Sequence, residues 1–415
     1  MTIPIIKPEI GDEEISAVSE VLRSGWITQG SKVEEFEQAF AQYVGARHAC
    51  AVSSCTTALH LGLLIVGVRP GDVVITVSHS YIATANSVRH CQAEPFFVDI
   101  DLNTLNMDPN ALGKVLKERF EKRDQEWWFK DPERLAIGES PLVYIKPPIG
   151  RLAAILVVHQ AGMPADMQTI VEIANDYGVP VVEDAACAIG SEIQLNGKWE
   201  KIGRTHGEVA CFSFHPRKIL TTGDGGMITT NQIDYDQKFR LLRQHGMSVS
   251  DAARHQTKDI IFESYDLTAY NYRMTDIQAV IGLEQLKKLP VIVQRRRELA
   301  ELYLKQLAGI PGLILPTQPN YARSNWQSFI VRLSDPSKQK RVMKFLREQG
   351  IASRRGIMNA HQELPYQKLF PFESFPESMC ARDTGIILPL FHTMEYAEIE
   401  TVSQSLMKAL VVSGS

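Results

Sequence analysis

Short apolar strands alternate with helix-forming stretches through the first half of the chain, and this alternation constrains the fold more than any other feature. The predicted strands are residues 49–53, 73–77, 96–98, 152–158 and 180–182. The predicted helices between them are residues 56–65, 83–90 and 165–176. Strands that are apolar on both faces need helices on both sides, so the pattern predicts an α/β protein with a mostly parallel sheet. Ligands of such sheets bind at the carboxyl ends of the strands.

Two helices are predicted before the first strand. Residues 12–23 carry apolar side chains at helical spacing and are followed by Gly25. Ser31 and Glu34 have the spacing of a capping box, which predicts that Ser31 caps the second helix. Trp26 lies in the glycine-bounded loop between the two helices, either as a hydrophobic plug or as part of a ligand-binding wall.

The pattern changes after about residue 275. The predicted elements there are helices over residues 275–289 and 292–307, a break between them at Pro290, a strand over residues 328–331 and a helix over residues 339–348. These elements predict a smaller C-terminal α/β domain. We therefore divide the chain into a large domain, residues 1–275, and a small domain, residues 276–415.

Residues 117–151 do not fit the alternation. They are rich in charge, include Trp127 and Trp128, and end shortly after Pro147 and Pro148. A connection of this length is usually functional or partly ordered on its own. Two interpretations stay open, namely a surface insertion in the large domain, or a lid or subunit contact anchored by the two tryptophans.

The composition narrows the classes of function. A net charge of −4, from 44 basic and 48 acidic residues, argues weakly against nucleic acid as the main partner. The six cysteines form no Cys-x-x-Cys pair, so we expect reduced thiols, a cytoplasmic location and no metal site. We also expect no membrane span and no targeting signal, because no stretch reaches 18 uninterrupted apolar residues and the N-terminus lacks a secretory pattern.

Polar groups follow several predicted strands at the edge where a ligand would bind. Lys218 lies in FSFHPRKILTTGDGG, between an apolar strand and a glycine-rich turn. Glu183 and Asp184 end another strand, and we expect this acidic pair to point into the ligand crevice. The hydroxyls and the helix N-terminus at residues 53–57 form an anion site, and Tyr81 opens the next helix.

Each of these features also has an ordinary interpretation. Lys218 would be a solvated loop residue, which is the usual case for lysine. Asp184 would cap the following helix, and the hydroxyls at residues 53–57 would be a common N-cap. Tyr81 would serve packing alone.

Taken together, the four groups predict pyridoxal 5′-phosphate as the cofactor. This cofactor needs a lysine for a Schiff base, a carboxylate beside its ring nitrogen, an aromatic neighbour and a phosphate cup. A nicotinamide cofactor would need a Gly-x-Gly-x-x-Gly turn that opens a helix. The glycine-rich run at residues 223–226 has a different spacing and leads into a strand-like segment.

With these motifs the chain resembles the DegT/StrS family of sugar aminotransferases. The most specific matching segments are VVEDAACAIGS, FSFHPRKILTTGDGGMITTN and NYRMTDIQAVIGLEQLKKL, and the resemblance spans nearly the whole chain apart from residues 117–151. The family implies the aspartate-aminotransferase-like fold of fold-type I pyridoxal-phosphate enzymes. That fold has a large domain with a mostly parallel seven-stranded sheet and a smaller C-terminal α/β domain.

The resemblance also implies roles for individual residues. Lys218 takes the place of the lysine that forms the internal aldimine, Asp184 that of the partner of the pyridine nitrogen, and Tyr81 that of the ring-stacking aromatic. The other implied cofactor neighbours are Ser54, Cys55, Thr56, Cys187, Ser213, His215 and Asn271. Asn271 matches an asparagine that reaches across a dimer interface to the neighbour's phosphate, which implies a homodimer with two shared sites.

Three features depart from the family pattern. Cys187 stands where relatives have Gln or His in contact with the ring oxygen of the cofactor, and a thiol is a poorer donor. Cys55 stands where the phosphate loop usually has Gly, so we expect a slightly different loop shape. The insertion at residues 117–151 is expected to alter what covers the substrate.

The leading hypothesis is a transaminase. It would move an amino group from glutamate or glutamine to a keto sugar, most simply a nucleotide-linked one, by a ping-pong mechanism through the pyridoxamine form of the cofactor. The alternatives are an aminotransferase of a cyclitol ketone and a sugar dehydratase on the same fold, although such dehydratases replace the lysine with histidine. A regulatory protein without turnover is a further hypothesis, against which the intact Lys218 and Asp184 argue.

Candidate substrate residues come from loops that approach the substrate in relatives. They are Trp26, Thr28, Gln327, Arg354, Arg355 and His361. Guanidinium groups at Arg354 and Arg355 would suit a diphosphate, whereas a solvated basic turn is the alternative.

Overall fold

The structure is a computed structural model that describes residues 2–249, 262–370 and 373–412. Its helices are α1 Asp12–Ser24, α2 Ser31–Val44, α3 Cys55–Ile65, α4 Ala83–His90, α5 Pro109–Arg119, α6 Met167–Tyr177, α7 Ile233–Leu242, α8 Asp276–Leu307, α9 Gln339–Glu348, α10 Pro376–Thr384 and α11 Tyr396–Val412. Its strands up to the middle of the chain are β1 His48–Val52, β2 Val73–Val77, β3 Glu94–Val98, β4 Phe120–Arg123, β5 Glu126–Phe129, β6 Leu152–Val158, β7 Val181–Asp184, β8 Glu192–Leu195 and β9 Lys198–Lys201. The later strands are β10 Val209–Ser213, β11 Gly226–Thr230, β12 Leu313–Ile314, β13 Ala322–Arg323, β14 Phe329–Leu333, β15 Arg354–Arg355 and β16 Gly385–Leu388.

The central sheet has seven strands in the order β1-β11-β10-β7-β6-β2-β3. Neighbouring strands from β10 to β3 are parallel, and β11 runs antiparallel to both of its neighbours. Every residue of β2, β3 and β6 is buried, as strands covered on both faces require. The predicted α/β class and the mostly parallel seven-stranded sheet are confirmed. The carboxyl ends of β1, β2, β6, β7 and β10 share one edge, at which β11 begins.

The described residues form three hydrophobic cores. The first and the third cover opposite faces of the central sheet, and the second surrounds the antiparallel sheet β12-β14-β16-β15 together with α9 and α11. Helix α8 contributes Leu289 to the first core and Tyr303 to the second. Ile3 packs in the second core and Tyr366 in the first, so the chain crosses between the cores more than once. The predicted boundary between residues 275 and 276 stays a prediction.

Helix α8 is continuous where the sequence predicts a break. It runs over 32 residues with Pro290 inside it. Pro290 is exposed, so its ring lies on the solvent side of the helix. Leu289 and Val293 are buried and hold the other side of the helix against the first core.

The N-terminus of α2 is capped by a distant residue rather than by a local capping box. Gly30 is the N-cap residue and Ser31 is already helical, so the predicted capping by Ser31 is wrong. The carboxylate of Asp276, at the start of α8, accepts hydrogen bonds from the backbone N–H groups of Gly30 at 2.7 Å and Val33 at 3.1 Å. The start of α2 is thereby tied to the start of α8.

The insertion packs along the amino ends of the parallel strands. Strands β4 and β5 pair as a hairpin, and Phe129 is buried in the first core. The ring of Trp127 lies 4.6 Å from that of Tyr177, at the end of α6. Arg151 forms an ion pair with Asp72, just before β2 begins. This is the sheet edge opposite the predicted crevice, so a lid over the crevice of the same chain is wrong, and the subunit contact stays a prediction.

None of the helices in the described ranges is long and apolar enough to cross a bilayer.

Candidate active site

The carboxyl edge of the central sheet brings together residues from distant parts of the sequence. Asp184 ends β7 and Ser213 ends the neighbouring strand β10, while residues 54–57 follow β1, two strands further along. Lys218 follows β10 after a short loop. The strand order therefore places these predicted cofactor residues at one edge of one sheet.

Asp184 is buried and has two hydrogen-bond donors. Its carboxylate accepts from the hydroxyl of Thr84 at 2.8 Å and from the backbone N–H of Ala186 at 3.1 Å. Burial raises the pKa of Asp184 and outweighs these two hydrogen bonds. The hydroxyl of Ser80 lies 2.7 Å from that of Thr84, so a polar chain leads to the carboxylate. Sequence reasoning missed Thr84, although its place one helical turn after Tyr81 was a signal for it.

Glu183 faces away from Asp184, because successive side chains of a strand alternate between its two sides. Its fully buried carboxylate accepts hydrogen bonds from the backbone N–H groups of His206 at 2.7 Å and Gly207 at 2.8 Å. It also lies 3.0 Å from Nε2 of His159. Burial alone would raise the pKa of Glu183, but the two histidines outweigh it and lower this pKa. The prediction that both carboxylates point into the crevice is wrong for Glu183, which fixes loops behind the site.

Lys218 lies on a compact loop between β10 and β11. Its backbone N–H donates to the carbonyl of His215 at 2.8 Å. The loop is closed where the N–H of Phe214 donates to the carbonyl of Gly225 at 2.9 Å. His215 is half-buried, and its Nδ1 accepts the backbone N–H of Arg217 at 3.1 Å, which occupies this nitrogen within the loop.

The amine of Lys218 meets the thiol of Cys187. Nζ lies 3.0 Å from Sγ, and both side chains are half-buried. Burial disfavours the charged amine, but the neighbouring Cys187 and the more distant Cys55 and Asp184 outweigh it and raise the pKa of Lys218. The family's Gln or His position is thus occupied by a side chain that contacts the lysine directly.

The predicted anion site lies at the N-terminus of α3. The hydroxyl of Ser54 accepts the N–H of Thr57 at 3.2 Å, which leaves the first-turn N–H groups of Cys55 and Thr56 without an intrahelical acceptor. Gly226, at the start of β11, lies against this turn. A Cβ on Gly226 would stand 2.4 Å from the carbonyl carbon of Ser54, so only glycine allows this approach.

Cys55 does not distort the loop. It is the first residue of α3, and it is not among the residues of positive φ in the described part of the chain. Its buried thiol points toward the carbonyl of Cys211 at 3.6 Å, away from the helix N-terminus. The expected difference in loop shape from relatives with glycine at this position stays a prediction.

A second group of candidates meets at the end of β2. The hydroxyl of Ser78 lies 2.6 Å from Nδ1 of His361 and accepts the backbone N–H of His361 at 3.1 Å. Burial lowers the pKa of His361 to about 4, so this ring is neutral at physiological pH. Tyr81 lies three residues further along at the rim and is 65% exposed. The segment after β15 thus returns to the edge of the central sheet.

Gln327 contacts the lysine loop rather than open solvent. Its Oε1 accepts the backbone N–H of Ile219 at 3.1 Å, and its Nε2 donates to the carbonyl of Arg217 at 2.7 Å. Gln327 is only 8% exposed. Both ends of this amide are engaged on either side of Lys218.

The other substrate candidates lie in two places. Trp26 borders a cavity of about 540 Å³ between α1, α2 and α8, and the carbonyl of Thr28 accepts the N–H of Asp276 at 2.9 Å. Arg354 and Arg355 are exposed on β15, the edge strand of the smaller sheet. Only the loop with Trp26 and Thr28 is tied directly to the start of α8.

Asn271 lies at the end of an exposed segment, residues 262–271. Phe262 is 90% exposed and Tyr265 is 60% exposed. Asn271 itself is exposed and pairs through its backbone with Gln244. The segment that leads to Asn271 therefore exposes two large apolar side chains.

A comparison with protein families decides what this arrangement belongs to. Residues 8–407 match the model of the DegT/DnrJ/EryC1/StrS aminotransferase family. The chain belongs to this family. It is therefore a pyridoxal-phosphate-dependent aminotransferase of the sugar-aminotransferase type, as the resemblance of its motifs predicts.

Similar proteins agree with this family. The spore coat polysaccharide biosynthesis protein SpsC of Bacillus subtilis is 34% identical over 409 residues, which cover 97% of this chain and 96% of SpsC. The aminotransferase TlmJ of Streptoalloteichus hindustanus is 29% identical, with a TM-score of 0.82 and 100% of each chain covered. A putative sugar aminotransferase, Spr1654 of Streptococcus pneumoniae in its PMP form, is 25% identical with a TM-score of 0.83, covering 99% and 100% of the two chains.

The residues at the sheet edge fit the family's cofactor. The first-turn N–H groups of α3 are the kind of group that binds a phosphate, and the close approach of Gly226 fixes the turn that carries them. A buried carboxylate, Asp184, and a primary amine, Lys218, share the same edge. Among the residues that the structure describes, no group of three His, Cys, Asp or Glu side chains is arranged to hold a metal ion.

Proposed function

We propose that this chain transfers an amino group from glutamate or glutamine to a nucleotide-linked keto sugar by a ping-pong mechanism. The observation that carries the proposal is the placement of Lys218, the buried Asp184 and the α3 N-terminus at one edge of the central sheet. A lysine, a carboxylate and an anion site at one sheet edge are the groups that amine transfer with this cofactor needs.

Each of these residues would have a distinct task. When bound, pyridoxal 5′-phosphate would accept the amino group, carry it as pyridoxamine 5′-phosphate and withdraw electrons from the reacting carbon. The N–H groups of Cys55 and Thr56, with the hydroxyl of Ser213, would bind its phosphate. Asp184 would hold a proton on the ring nitrogen, and the exposed ring of Tyr81 would cover one face.

Lys218 would be the catalytic base and acid. Its Nζ is the mobile basic group at this edge, and it would move protons between the carbons that exchange the amino group. The thiol of Cys187 at 3.0 Å gives the amine a hydrogen-bond partner inside the crevice. His215 lies on the same loop and would help to hold its shape rather than touch substrate.

Candidate substrate contacts lie around the rim. We assign His361 to this role because Ser78 fixes its ring at the end of β2. The loop with Trp26 and Thr28 would form a second wall of the substrate site. Arg354 and Arg355 precede His361 by six or seven residues, and their guanidinium groups would suit a diphosphate.

We also propose a homodimer in which Asn271 completes the partner's site. The exposed Phe262 and Tyr265, nine and six residues before Asn271, support this assembly, since large exposed apolar side chains favour a contact between proteins. Mixed dimers test it. Lys218→Ala and Asn271→Ala chains would each be impaired alone, but together they form dimers with one intact site, which restores about a quarter of the wild-type activity on random mixing. No recovery on mixing would contradict a shared site.

Two experiments test the function itself. Lys218→Ala is expected to abolish amine transfer and the absorbance of lysine-bound cofactor, whereas a regulatory protein would keep its function. The pyridoxamine form of the wild-type enzyme is then mixed with nucleotide-linked keto sugars, free keto sugars and cyclitol ketones while cofactor absorbance is followed. If only the cyclitol ketones react, the substrate is a cyclitol ketone and not a keto sugar. Loss of water from the substrate without amine transfer would indicate a dehydratase.

A cytoplasmic location stays a prediction. It is supported by the six cysteines, all of which are free thiols in the structure.

A further inference from the structure

The backbone on both sides of Lys218 is held by a single side chain. The carbonyl of Arg217 belongs to the peptide group before Lys218, and the N–H of Ile219 belongs to the peptide group after it. Gln327 binds both, donating from Nε2 at 2.7 Å and accepting at Oε1 at 3.1 Å. Because peptide groups are planar, fixing these two groups fixes both backbone dihedral angles of Lys218. The direction in which the lysine side chain leaves the loop is then set.

Few side chains can make this pair of contacts. An amide offers a donor and an acceptor side by side without charge, whereas a carboxylate only accepts and an ammonium only donates. Gln327 is 8% exposed, so water does not readily replace either contact. The amide is therefore matched to one carbonyl and one N–H group.

Gln327 is itself held rigidly. The guanidinium of Arg296, on α8, donates to the carbonyls of Trp326 at 2.6 Å and of Gln327 at 3.0 Å. Arg296 is 1% exposed. The N–H of Gln327 donates to Oδ1 of Asn325 at 2.8 Å. The support thus extends from the long helix to the lysine loop.

Asn325 holds Cys187, the residue whose thiol contacts the amine of Lys218. Its Nδ2 donates to the carbonyl of Cys187 at 2.9 Å and to that of Ile189 at 2.7 Å. A Cβ at Gly162 would stand 1.9 Å from Oδ1 of Asn325, so glycine leaves room for this amide. Cys187 and Lys218, whose side chains meet at 3.0 Å, are therefore positioned from two places on one short segment.

We propose that Gln327 is a positioning residue for Lys218 rather than a substrate-binding residue. Through its two backbone contacts it sets the direction of Nζ toward the reacting carbon. The inference rests on the proposed role of Lys218 and adds how the chain orients it. A misplacement of a reacting group by about 1 Å lowers the rate by roughly 10²-fold, so the orientation of this loop has a large effect.

Gln327→Glu and Gln327→Leu test the inference. Glu keeps the size and the acceptor but sets a second acceptor against the carbonyl of Arg217, and Leu removes both contacts. Gln339→Leu is the matched control, since the amide of Gln339 also donates to two backbone carbonyls, that of Arg382 in α10 and that of Gly385 at the start of β16. If Gln327→Leu fails to fold, the isosteric Gln327→Glu carries the test.

The measurement is the rate at which borohydride fixes pyridoxal 5′-phosphate on Lys218, followed by peptide mass spectrometry, alongside kcat, KM and Tm. We expect both Gln327 variants to slow trapping and to lower kcat by about tenfold or more, with KM within about twofold, because one or two hydrogen bonds are lost. Gln339→Leu should leave trapping and kcat unchanged.

The outcomes separate the two proposals. Unchanged trapping with a raised KM would show that Gln327 binds substrate, and a lowered Tm with unchanged trapping would show a merely structural role. Either result overturns this inference alone. Absence of trapping at Lys218 in the wild-type enzyme would contradict the proposed function as well.

Discussion

Glu183 and Asp184 are neighbours on β7, and both are buried, yet their surroundings differ in kind. Glu183 has two backbone N–H donors and two histidines around it, and its pKa is lowered despite burial. Asp184 has one hydroxyl and one N–H, and burial raises its pKa. The structural carboxylate is thus fully satisfied by its own chain, while the site carboxylate keeps capacity for a charged partner. The difference shows that burial alone does not mark a functional acid, whereas incomplete pairing does.

Asp184→Asn should have the largest effect on kcat of the variants that test this comparison. A small effect would contradict the distinction between Asp184 as the site carboxylate and Glu183 as the structural one. Removing the charge beside the cofactor is expected to lower kcat by about 10²–10³-fold, as for other preorganised electrostatic groups. Stability should stay the same or rise slightly, since an incompletely paired buried charge is removed. Steady-state kinetics and thermal unfolding measure both. A loss of stability with normal kcat would place Asp184 among the structural residues.

Glu183→Gln should have the opposite profile. It removes the buried charge that faces the rings of His159 and His206, and breaking a buried pair in this way is expected to lower the free energy of unfolding by about 3–5 kcal/mol. The folded fraction should keep kcat within a few-fold. Urea unfolding and kcat per folded molecule check this. A large fall in kcat at full stability would mean that Glu183 acts on the reaction.

Thr84→Val sharpens the comparison by removing one of the two donors to Asp184. We expect about a tenfold fall in cofactor affinity and kcat, because a hydrogen bond to a charged group is lost. Thr229→Val is the matched control, since that buried hydroxyl donates to the carbonyl of Ala210 within the sheet. Titration of the apoenzyme with pyridoxal 5′-phosphate measures the difference. Equal effects in both variants would argue against a special role of Thr84.

The smallest expected effect is on how the free energy of unfolding falls at acid pH. The folded pKa of Glu183 is lowered, so its contribution is present above the unfolded value of about 4.3 and is lost as pH falls further. The folded pKa of Asp184 is raised, so its contribution weakens as pH rises above about 3.9. Urea unfolding from pH 3 to pH 6 should show a shallower acid loss for Glu183→Gln and a steeper one for Asp184→Asn. Parallel curves for both variants would contradict the opposite signs.

Much of the fold, and of the group of residues at the carboxyl edge of the central sheet, is predictable from the sequence, because it depends on patterns within short segments. The apolar run at residues 152–158 coincides with β6, and helix α9 has the predicted bounds. Strand ends in a parallel sheet share an edge, so Asp184 and Lys218 were placed together without knowledge of the strand order.

The rest depends on contacts between residues far apart in sequence. The cap of α2 comes from Asp276, 246 residues after Gly30, so the local pattern at Ser31 was misleading. Alternation along β7 implies that only one of its two carboxylates faces the crevice, but the choice depends on which loops pack behind the strand. Gln327 likewise contacts a loop 108 residues away, for which the sequence holds no local signal.

Helix α8 sets a fixed length and phase between two parts of the active site. Asp276, near its first turn, holds the loop that leads to Trp26 and Thr28, and Arg296 holds the segment of Gln327. The two residues are twenty positions apart, a rise of about 30 Å along the helix, and one inserted residue would turn the second half by about 100°. Such an insertion would carry Arg296 away from its carbonyls, even if every side chain in the crevice were kept. Variation in chain length should therefore be excluded between residues 277 and 295.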